Sequence, residues 1–443
     1  MATQTLTASE LSNAQRVTLT RIYQSYQNKT DLLGWIDELP ADKVNKKGLQ
    51  VPFEVSPNPS LSIGTGEGDV FATAQASNYD NFVVTYTNLN AGVNETYAAM
   101  LNNNVETSED VFRFQAESDA KQFSSFLNNY ASRGNSTGAL ATVSANYSAA
   151  TVAVCNGTTD SIGPSQLVVG GWYTIWDATG ATQRTAGGAT NPIQLTSKTT
   201  ANAVFAAQQL PTDMVDTDII VPQVTAADAS TGIYGLPIII DSAGTYYGKS
   251  RTTYGGLASF EKAAGGSLTA GMLSETYFST VQRGGYFGSD QLIDQVSLIC
   301  NTGNLNNYYN LTLSSGAIVG GPHVFRHDAS SNPKMDLGMA SMNFTWFGAP
   351  IKVANAVRGD EIYFFNRKHI RRAVLKPVGY IADGMPASDY LQQVNGSGDY
   401  LQARLRYMDW FGNIYSPQPY MLGKISGLTL VAPTQKATMV LTA

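Results

Sequence analysis

Gly48-Leu-Gln-Val-Pro-Phe-Glu-Val-Ser56 runs out and Asn78-Tyr-Asp-Asn-Phe-Val-Val-Thr-Tyr86 runs back, around a tip punctuated by Pro57, Pro59, Gly64, Gly66 and Gly68. Leu49, Val51, Phe53 and Val55 alternate with polar residues, and Phe82, Val83, Val84 and Tyr86 are β-branched or aromatic, so the stretch predicts two antiparallel strands. A two-stranded ribbon is at best marginally stable alone, so this one needs a surface to lie on. Glu54, Glu67, Asp69, Asp80, Glu95, Glu106, Glu109 and Asp110 fall between Lys47 and Arg113 with no basic residue among them. The expected partner surface is therefore basic.

Directly after the ribbon, Phe112, Ala116, Ala120, Phe123, Leu127 and Tyr130 recur at three- and four-residue steps, the mark of an amphipathic helix with a narrow apolar stripe. Thr107 or Ser108 can cap its start, and Glu109 and Asp110 suit the positive end of the helix dipole. Arg133 and Gly134 suit its end. At 1.5 Å per residue such a helix is a rod of roughly 40 Å, a natural spine for a flat domain.

The 443 residues suffice for two or three domains, and an apolar content of 43% suffices for their cores. Only 14% are charged, well below the usual level of about 25%. A surface so poor in charge suits a protein covered by identical neighbours. Composition alone also fits a secreted β-rich protein. Thr3, Gln4, Thr5 and Thr7 before Glu10 provide neither a basic nor an apolar leader region, and no segment reaches the ~20 apolar residues of a membrane helix. Cys155 and Cys300 are too few and too far apart for a disulfide framework and suit a reducing compartment.

Along the rest of the chain, Leu11, Val17, Leu19, Ile22 and Tyr23 predict a helical arm over 8–39, followed by the basic trio Lys43, Lys46 and Lys47. Residues 138–222 turn to Thr, Ala, Val and Gly in short strands, notably 167–176 and Asp218-Ile-Ile-Val221, which predict a small antiparallel barrel. The apolar run Gly235-Leu-Pro-Ile-Ile-Ile-Asp241 predicts a buried strand. Leu268, Met272, Leu273, Tyr277 and Val281 predict a helix begun by Thr269, with a strand at Val296–Cys300 and a short helix at Leu305–Leu311 after it. Strands are expected again at Pro350–Val357, Glu361–Phe365 and Ala373–Tyr380, and where Leu401, Ala403, Leu405 and Tyr407 alternate with Gln402, Arg404 and Arg406.

This order of parts resembles the major capsid proteins of tailed bacteriophages, of the Hong Kong 97 phage type. The similar local stretches are Phe123-Ser-Ser-Phe-Leu-Asn-Asn-Tyr-Ala-Ser-Arg-Gly-Asn135, residues 235–251 leading to Leu268-Thr-Ala, and Gly348-Ala-Pro-Ile-Lys-Val-Ala-Asn-Ala-Val with Glu361-Ile-Tyr-Phe-Phe-Asn366. The resemblance implies an α+β fold: an N-terminal arm at 1–47, an extended two-stranded loop (E-loop) at 48–91, and a spine helix with peripheral-domain residues at 92–137. An inserted small β-barrel at 138–222, an axial domain at 223–345 and a return to the peripheral domain at 346–443 complete it. It also implies hexamers and pentamers of an icosahedral head enclosing double-stranded DNA, in a virion assembled in the bacterial cytoplasm. Portal, scaffolding and decoration proteins are the other implied partners; no membrane and no cofactor are expected.

The densest basic cluster is Arg367, Lys368, Arg371, Arg372 and Lys376 beside Arg358. The expectation is that the ribbon of one subunit, with Glu54, Glu67, Asp69 and Asp80, meets this cluster on the next; the plainer alternative is a strand edge protected from aggregation by its charge. A net charge of −6 gives no overall nucleic-acid footprint, so DNA is expected to be held by enclosure. Some members of the family cross-link through a Lys on the extended loop, and this chain has none from 48 to 120, so non-covalent shell contacts are expected. The 47 residues ahead of the ribbon are few for a fused scaffold, so a separate scaffold is expected, or a chain already trimmed, with Lys46-Lys47 a candidate cut.

Enzymatic patterns are weak. His323 and His327 are four apart and followed by Asp328, but Gly321-Pro322 precedes them and no Glu holds the place of a metalloprotease base. His369 lies in the basic cluster and reads as polar surface. Gly64-Thr-Gly-Glu-Gly68 lacks the Lys-Ser/Thr ending of a phosphate loop, and no G-x-S-x-G setting accompanies the serines. No catalytic or metal residue is assigned. The other classes that fit are an encapsulin-type compartment, usually a shorter chain, and a β-rich phage fibre or adhesin, in which repeats are expected and not seen.

Overall fold

The computed structural model describes residues 32–39, 48–56, 76–96, 123–148, 151–155, 167–188, 192–199, 202–205, 210–222, 232–283, 296–314, 345–347, 349–354, 356–380, 391–394, 400–429 and 439–440. The ribbon tip, the first half of the spine helix, residues 8–31 of the arm, the sequence around His323 and His327, and Glu67 and Asp69 lie outside them. Among the described residues no helix is long and apolar enough to cross a membrane.

The alternating residues near the C-terminus form the longest strand, Tyr400–Tyr415. It pairs antiparallel with Thr87–Thr96, Arg371–Tyr380 and Leu391–Val394. The sheet is extended by the two-residue strand Asp37–Glu38, which lies parallel to Arg371–Tyr380. The expected arm helix is therefore only the turn Leu32–Trp35 within the described part; Asp37 and Glu38 leave it because the strand Arg371–Tyr380 offers their backbone a ladder.

A second, six-stranded sheet runs in the order 260–266, 423–428, 362–366, 296–300, 349–353, 345–346. Its central strands Val-Ser-Leu-Ile-Cys300 and Ile-Tyr-Phe-Phe-Asn366 are buried at every position, as continuous apolar runs covered on both faces should be. The helix Ala270–Arg283 sits on it through Leu273 and Tyr277, and the helix Thr302–Ser314 through Tyr308. Both helices fall where the sequence predicts them. The strand expected at Pro350–Val357 starts one residue earlier and stops at Val353.

The described residues of 138–222 contribute six short strands to an antiparallel sheet, ordered 141–142, 219–222, 172–176, 193–198, 202–205, 152–154, to which Met439–Val440 adds against 193–198. Asp218, only 1% exposed, is held by the fork of Arg184 at 2.9 and 3.0 Å, which fixes the loop ahead of strand 219–222. A shared apolar core joins this sheet to the ribbon, the spine helix and the long-strand sheet through Ile175, Ile193, Val84, Leu127 and Trp410.

The strand expected at 235–241 is instead a helical turn, Leu236–Ile239, with Pro237 in its first turn and Leu236, Pro237 and Ile239 buried. An apolar run this short carries no period that separates strand from helix, and Pro at the start of a helix costs it no hydrogen bond. Gly235 lies against the end of the spine helix: its N–H donates to Gly134 O at 3.0 Å, and Gly134 N–H closes the helix on Tyr130 O at 2.7 Å. A Cβ on either glycine would collide with the other segment's backbone, so the pair is fixed by close approach.

Candidate assembly interface

The ribbon forms as the alternation predicts. Leu49–Ser56 pairs antiparallel with Asn78–Val84, Val51 facing Phe82 and Glu54 facing Tyr79. Its two faces differ. Val51, Phe53, Phe82 and Val84 are buried, while Val55, Val83 and Tyr79, the last 65% exposed, look outward.

Its base is covered from within the chain. Thr245–Tyr246 and Lys249–Ser250 form a tight hairpin, and its tyrosines, with Tyr254 just beyond it, meet the ribbon: Tyr246 lies edge-on to Phe82 at 5.1 Å, Tyr247 stacks on Phe82 at 5.7 Å, and Tyr254 stands edge-on to Phe53 at 5.4 Å. Each such pair contributes roughly 0.5–1.5 kcal/mol beyond the area it buries. Lys249 adds an ion pair to Asp80 at 2.6 Å. Hydrogen bonds from Lys249 and from the Asn81 N–H hold the Asp80 carboxyl below its usual range, and the same pair raises Lys249. Of the predicted acidic site residues, Asp80 therefore has a basic partner in its own subunit; Glu54 is exposed on the outer face.

The basic residues lie along the start of the strand Arg371–Tyr380 and the loops before it. Arg367 reaches Asp37 at 2.6 Å, Arg372 reaches Glu38 at 2.9 Å, and Lys376 reaches Asp409 at 2.7 Å. Arg358 belongs to a separate buried cluster, 3.3 Å from Asp360 and 3.8 Å from Glu361, against which the Tyr363 hydroxyl also bonds. The end of the spine helix lies close by: burial pushes the Arg133 guanidinium down to about 10, with the nearby Arg358 charge adding to the effect. Lys368 and Arg371 are exposed, Arg371 beside the Tyr415 hydroxyl. His369 is half-buried, and desolvation together with Arg371 lowers its pKa.

Two parts of this surface were not visible in the chain as a string of residues. One is the acidic pair Asp37–Glu38, which meets the cluster only because the arm folds back as a parallel strand. The other is the tyrosine seat of the ribbon, whose local signal is Tyr246-Tyr247-Gly248-Lys249, a two-residue hairpin turn between β-forming residues. Among the described residues no group of three His, Cys, Asp or Glu is arranged to hold a metal ion.

No family model and no curated protein matches the sequence. Solved structures do match. The capsid asymmetric unit of cyanophage A-1(L) aligns over 90% of this chain and 92% of its own at a TM-score of 0.50 and 12% identity. The capsid of the Myoviridae phage XM1 aligns over 91% and 94% at 0.43 and 7%, and that of an empty GTA particle over 90% and 91% at 0.41 and 9%. The cyanophage likeness spans the chain almost from end to end, and it defines the class: an α+β phage-capsid fold.

Proposed function

We propose that this chain is the major capsid protein of a tailed phage, a structural subunit that self-assembles into the hexamers and pentamers of an icosahedral head around double-stranded DNA. The observation that carries this reading is the near-complete overlap, in both directions, with the subunit of a phage capsid. A low charge content of 14% and a ribbon with an apolar outer edge support it, since both favour surfaces that copies cover.

In this reading the arm, extended loop, spine helix, peripheral and axial domains have the boundaries given above, and the antiparallel sheet of 138–222 is an inserted barrel. The long-strand sheet with the spine helix then belongs to the peripheral domain, the helices Ala270–Arg283 and Thr302–Ser314 to the axial one, and the six-stranded sheet draws strands from both 223–345 and 346–443. Neighbouring subunits meet where the outer side of one ribbon, which carries Glu54, lies over the basic strand of the next, with Glu67 and Asp69 as the further carboxylates that the ribbon sequence supplies. Arg371 and Lys368 are the cations most open to it, because Arg358, Arg367, Arg372 and Lys376 already have carboxylates in their own chain. Portal, scaffolding and decoration proteins are the further partners, DNA is held by enclosure, and the site of action is the virion, assembled in the bacterial cytoplasm.

Electron microscopy of the protein expressed alone, and again with its neighbouring genes, tests this. Closed shells or capsomer-sized rings are expected. Monomers under both conditions overturn it, and unchanged shells from an R371E/K368E variant overturn the ribbon-to-strand contact.

A further inference from the structure

At the root of the ribbon the backbone does something a tyrosine ordinarily avoids. Tyr246 faces Lys249 across the hairpin, and the two residues between them, Tyr247 and Gly248, have φ of 45° and 79°. A two-residue turn with both φ positive is the common hairpin connection, and Asn or Gly is the usual first residue. A bulky residue there is a strained outlier, and strain of this kind persists where the surroundings determine it.

What surrounds Tyr247 is the ribbon root. Its ring lies between Tyr234, stacked at 4.0 Å and 13°, and Phe82 of the ribbon, stacked at 5.7 Å and 10°, and its hydroxyl donates to Ile414 O at 2.7 Å. The same three segments are tied a second time by Asn413, which is fully buried. Its Nδ2 donates to Thr85 O, where the ribbon ends, at 3.0 Å, and its Oδ1 accepts from Tyr234 N–H at 2.9 Å. Thr87, the first residue beyond the root, donates to Gly232 O at 2.9 Å. The ribbon, the 232–235 segment and the long strand thus converge on one strained ring and one buried amide.

We infer that Tyr247 and Asn413 are positioning residues that set the direction in which the ribbon leaves the body, and thereby the angle at which one copy engages the next. The inference rests on the shell-subunit reading. Strain is accepted at Tyr247 because only an aromatic ring in that conformation fills the slot between Tyr234 and Phe82; Asn or Gly would relax the turn and leave the ribbon free to swing. The apolar base and the Asp80–Lys249 pair keep the ribbon attached, so what is lost is its direction.

The test compares wild type, Y247N and Y247F by hydrogen exchange and electron microscopy. Y247N keeps a turn-compatible residue and removes the ring; Y247F keeps the ring. In Y247N the lost ring contacts outweigh the relieved strain, so the melting temperature should fall by about a few degrees, and the amides of 49–56 and 78–84 should exchange about ten-fold faster. The amides of 400–415 should be unaffected, and shells should be absent or mixed in diameter. Y247F should assemble as wild type does. Ribbon exchange in Y247N within about two-fold of wild type overturns the inference, as does a loosened ribbon that still gives shells of wild-type diameter and yield. Should Y247N not fold, F82L empties the slot from the ribbon side and is judged by the same two readouts. Wild type that forms no shells under any condition sinks the shell-subunit reading instead, and the exchange data still decide whether Tyr247 seats the ribbon.

Discussion

Glu38 and Arg372 meet twice: they are partners in the parallel ladder between the arm and the strand Arg371–Tyr380, and the Arg372 guanidinium lies 2.9 Å from the Glu38 carboxylate. Asp37 and Arg367 repeat the ion pair at 2.6 Å, and Leu39 N–H adds a backbone bond to Arg372 O at 2.9 Å. Both ion pairs are partly open to solvent, with side-chain exposures of 27% to 47%, so each is worth at most about 1 kcal/mol. The arm is held mainly by its backbone and by Leu32 and Ile36 in the core. A D37N/E38Q double variant should lose no more than about 1–2 kcal/mol of global stability in urea titration. Hydrogen exchange of 36–39 should speed up in it, and high salt should produce the same local change in wild type. A large global loss would mean the pairs act as buried charges.

Arg251 has no carboxylate within its hydrogen bonds. At 2% exposure its Nε donates to Leu257 O at 3.0 Å, its Nη1 to Ala243 O at 2.8 Å and its Nη2 to Ile238 O, with the guanidinium 5.2 Å from the Tyr246 ring. One planar fork thus satisfies carbonyls from the helical turn Leu236–Ile239, from Ala243 and from Leu257, behind the ribbon seat. Lys cannot reproduce a fork of fixed geometry. R251K should therefore cost roughly 2–4 kcal/mol in urea unfolding, from unsatisfied buried carbonyls and a poorly placed ammonium. A loss below about 0.5 kcal/mol would show that water can stand in for the missing donors.

What the sequence makes legible here follows periodicity. Leu273, Tyr277 and Val281 give the helix Ala270–Arg283, the run 296–300 gives a buried strand, and alternation gives both halves of the ribbon, because each signal lies within one element. Residues 235–241 are misread because a run of apolar residues is equally a buried strand or a buried turn of helix. Pairings across the chain are not legible at all. Asp80 finds Lys249 at a separation of 169 residues, and the arm's acidic pair finds its arginines only after the arm has become a strand. The charge pattern counts acids and bases; it carries nothing about which of them pair, or whether they meet in one subunit or two.

The Asp80–Lys249 pair has a pH signature. The folded-state pKa of Asp80 is depressed from 3.8, so its contribution is present above that value and is lost as pH falls through the lower, folded value. The Lys249 pKa is raised from 10.5, so its contribution is present below that value and is lost as pH rises through the higher, folded one. Protease susceptibility of the ribbon root should thus be flat between these limits and rise only beyond them. A rise near neutral pH would point to another group as the latch.

Both cysteines should be chemically silent in the folded protein. Cys155 and Cys300 are free and buried, and desolvation pushes each thiol up to about 12. At pH 8 the thiolate fraction is then about one in ten thousand. Labelling with a thiol-specific disulfide reagent should be negligible in the native state and should reach two thiols per chain in guanidinium, so that its rate reports unfolding. Fast labelling of one thiol in native protein would show that its sheet opens locally.

Thr217 offers a stabilising change. It is exposed and β-branched with φ of 76°, in the turn that leads into strand 219–222. Its N–H donates to Val143 O at 2.9 Å, a bond that any residue but proline keeps. The left-handed conformation costs a residue bearing a Cβ roughly 1–2 kcal/mol, and the extra freedom of glycine in the unfolded chain takes back about 0.5–1 kcal/mol. T217G should therefore gain roughly 0.5–1 kcal/mol. The reverse change makes the control: Gly244 has φ of 75° and nothing within 4 Å of the position a Cβ would take, so its alanine variant meets only the backbone penalty. G244A should lose about 1 kcal/mol. Opposite signs in urea titrations of the two variants are expected, and a loss in T217G would mean that the threonine side chain makes a contact worth more than the strain it carries.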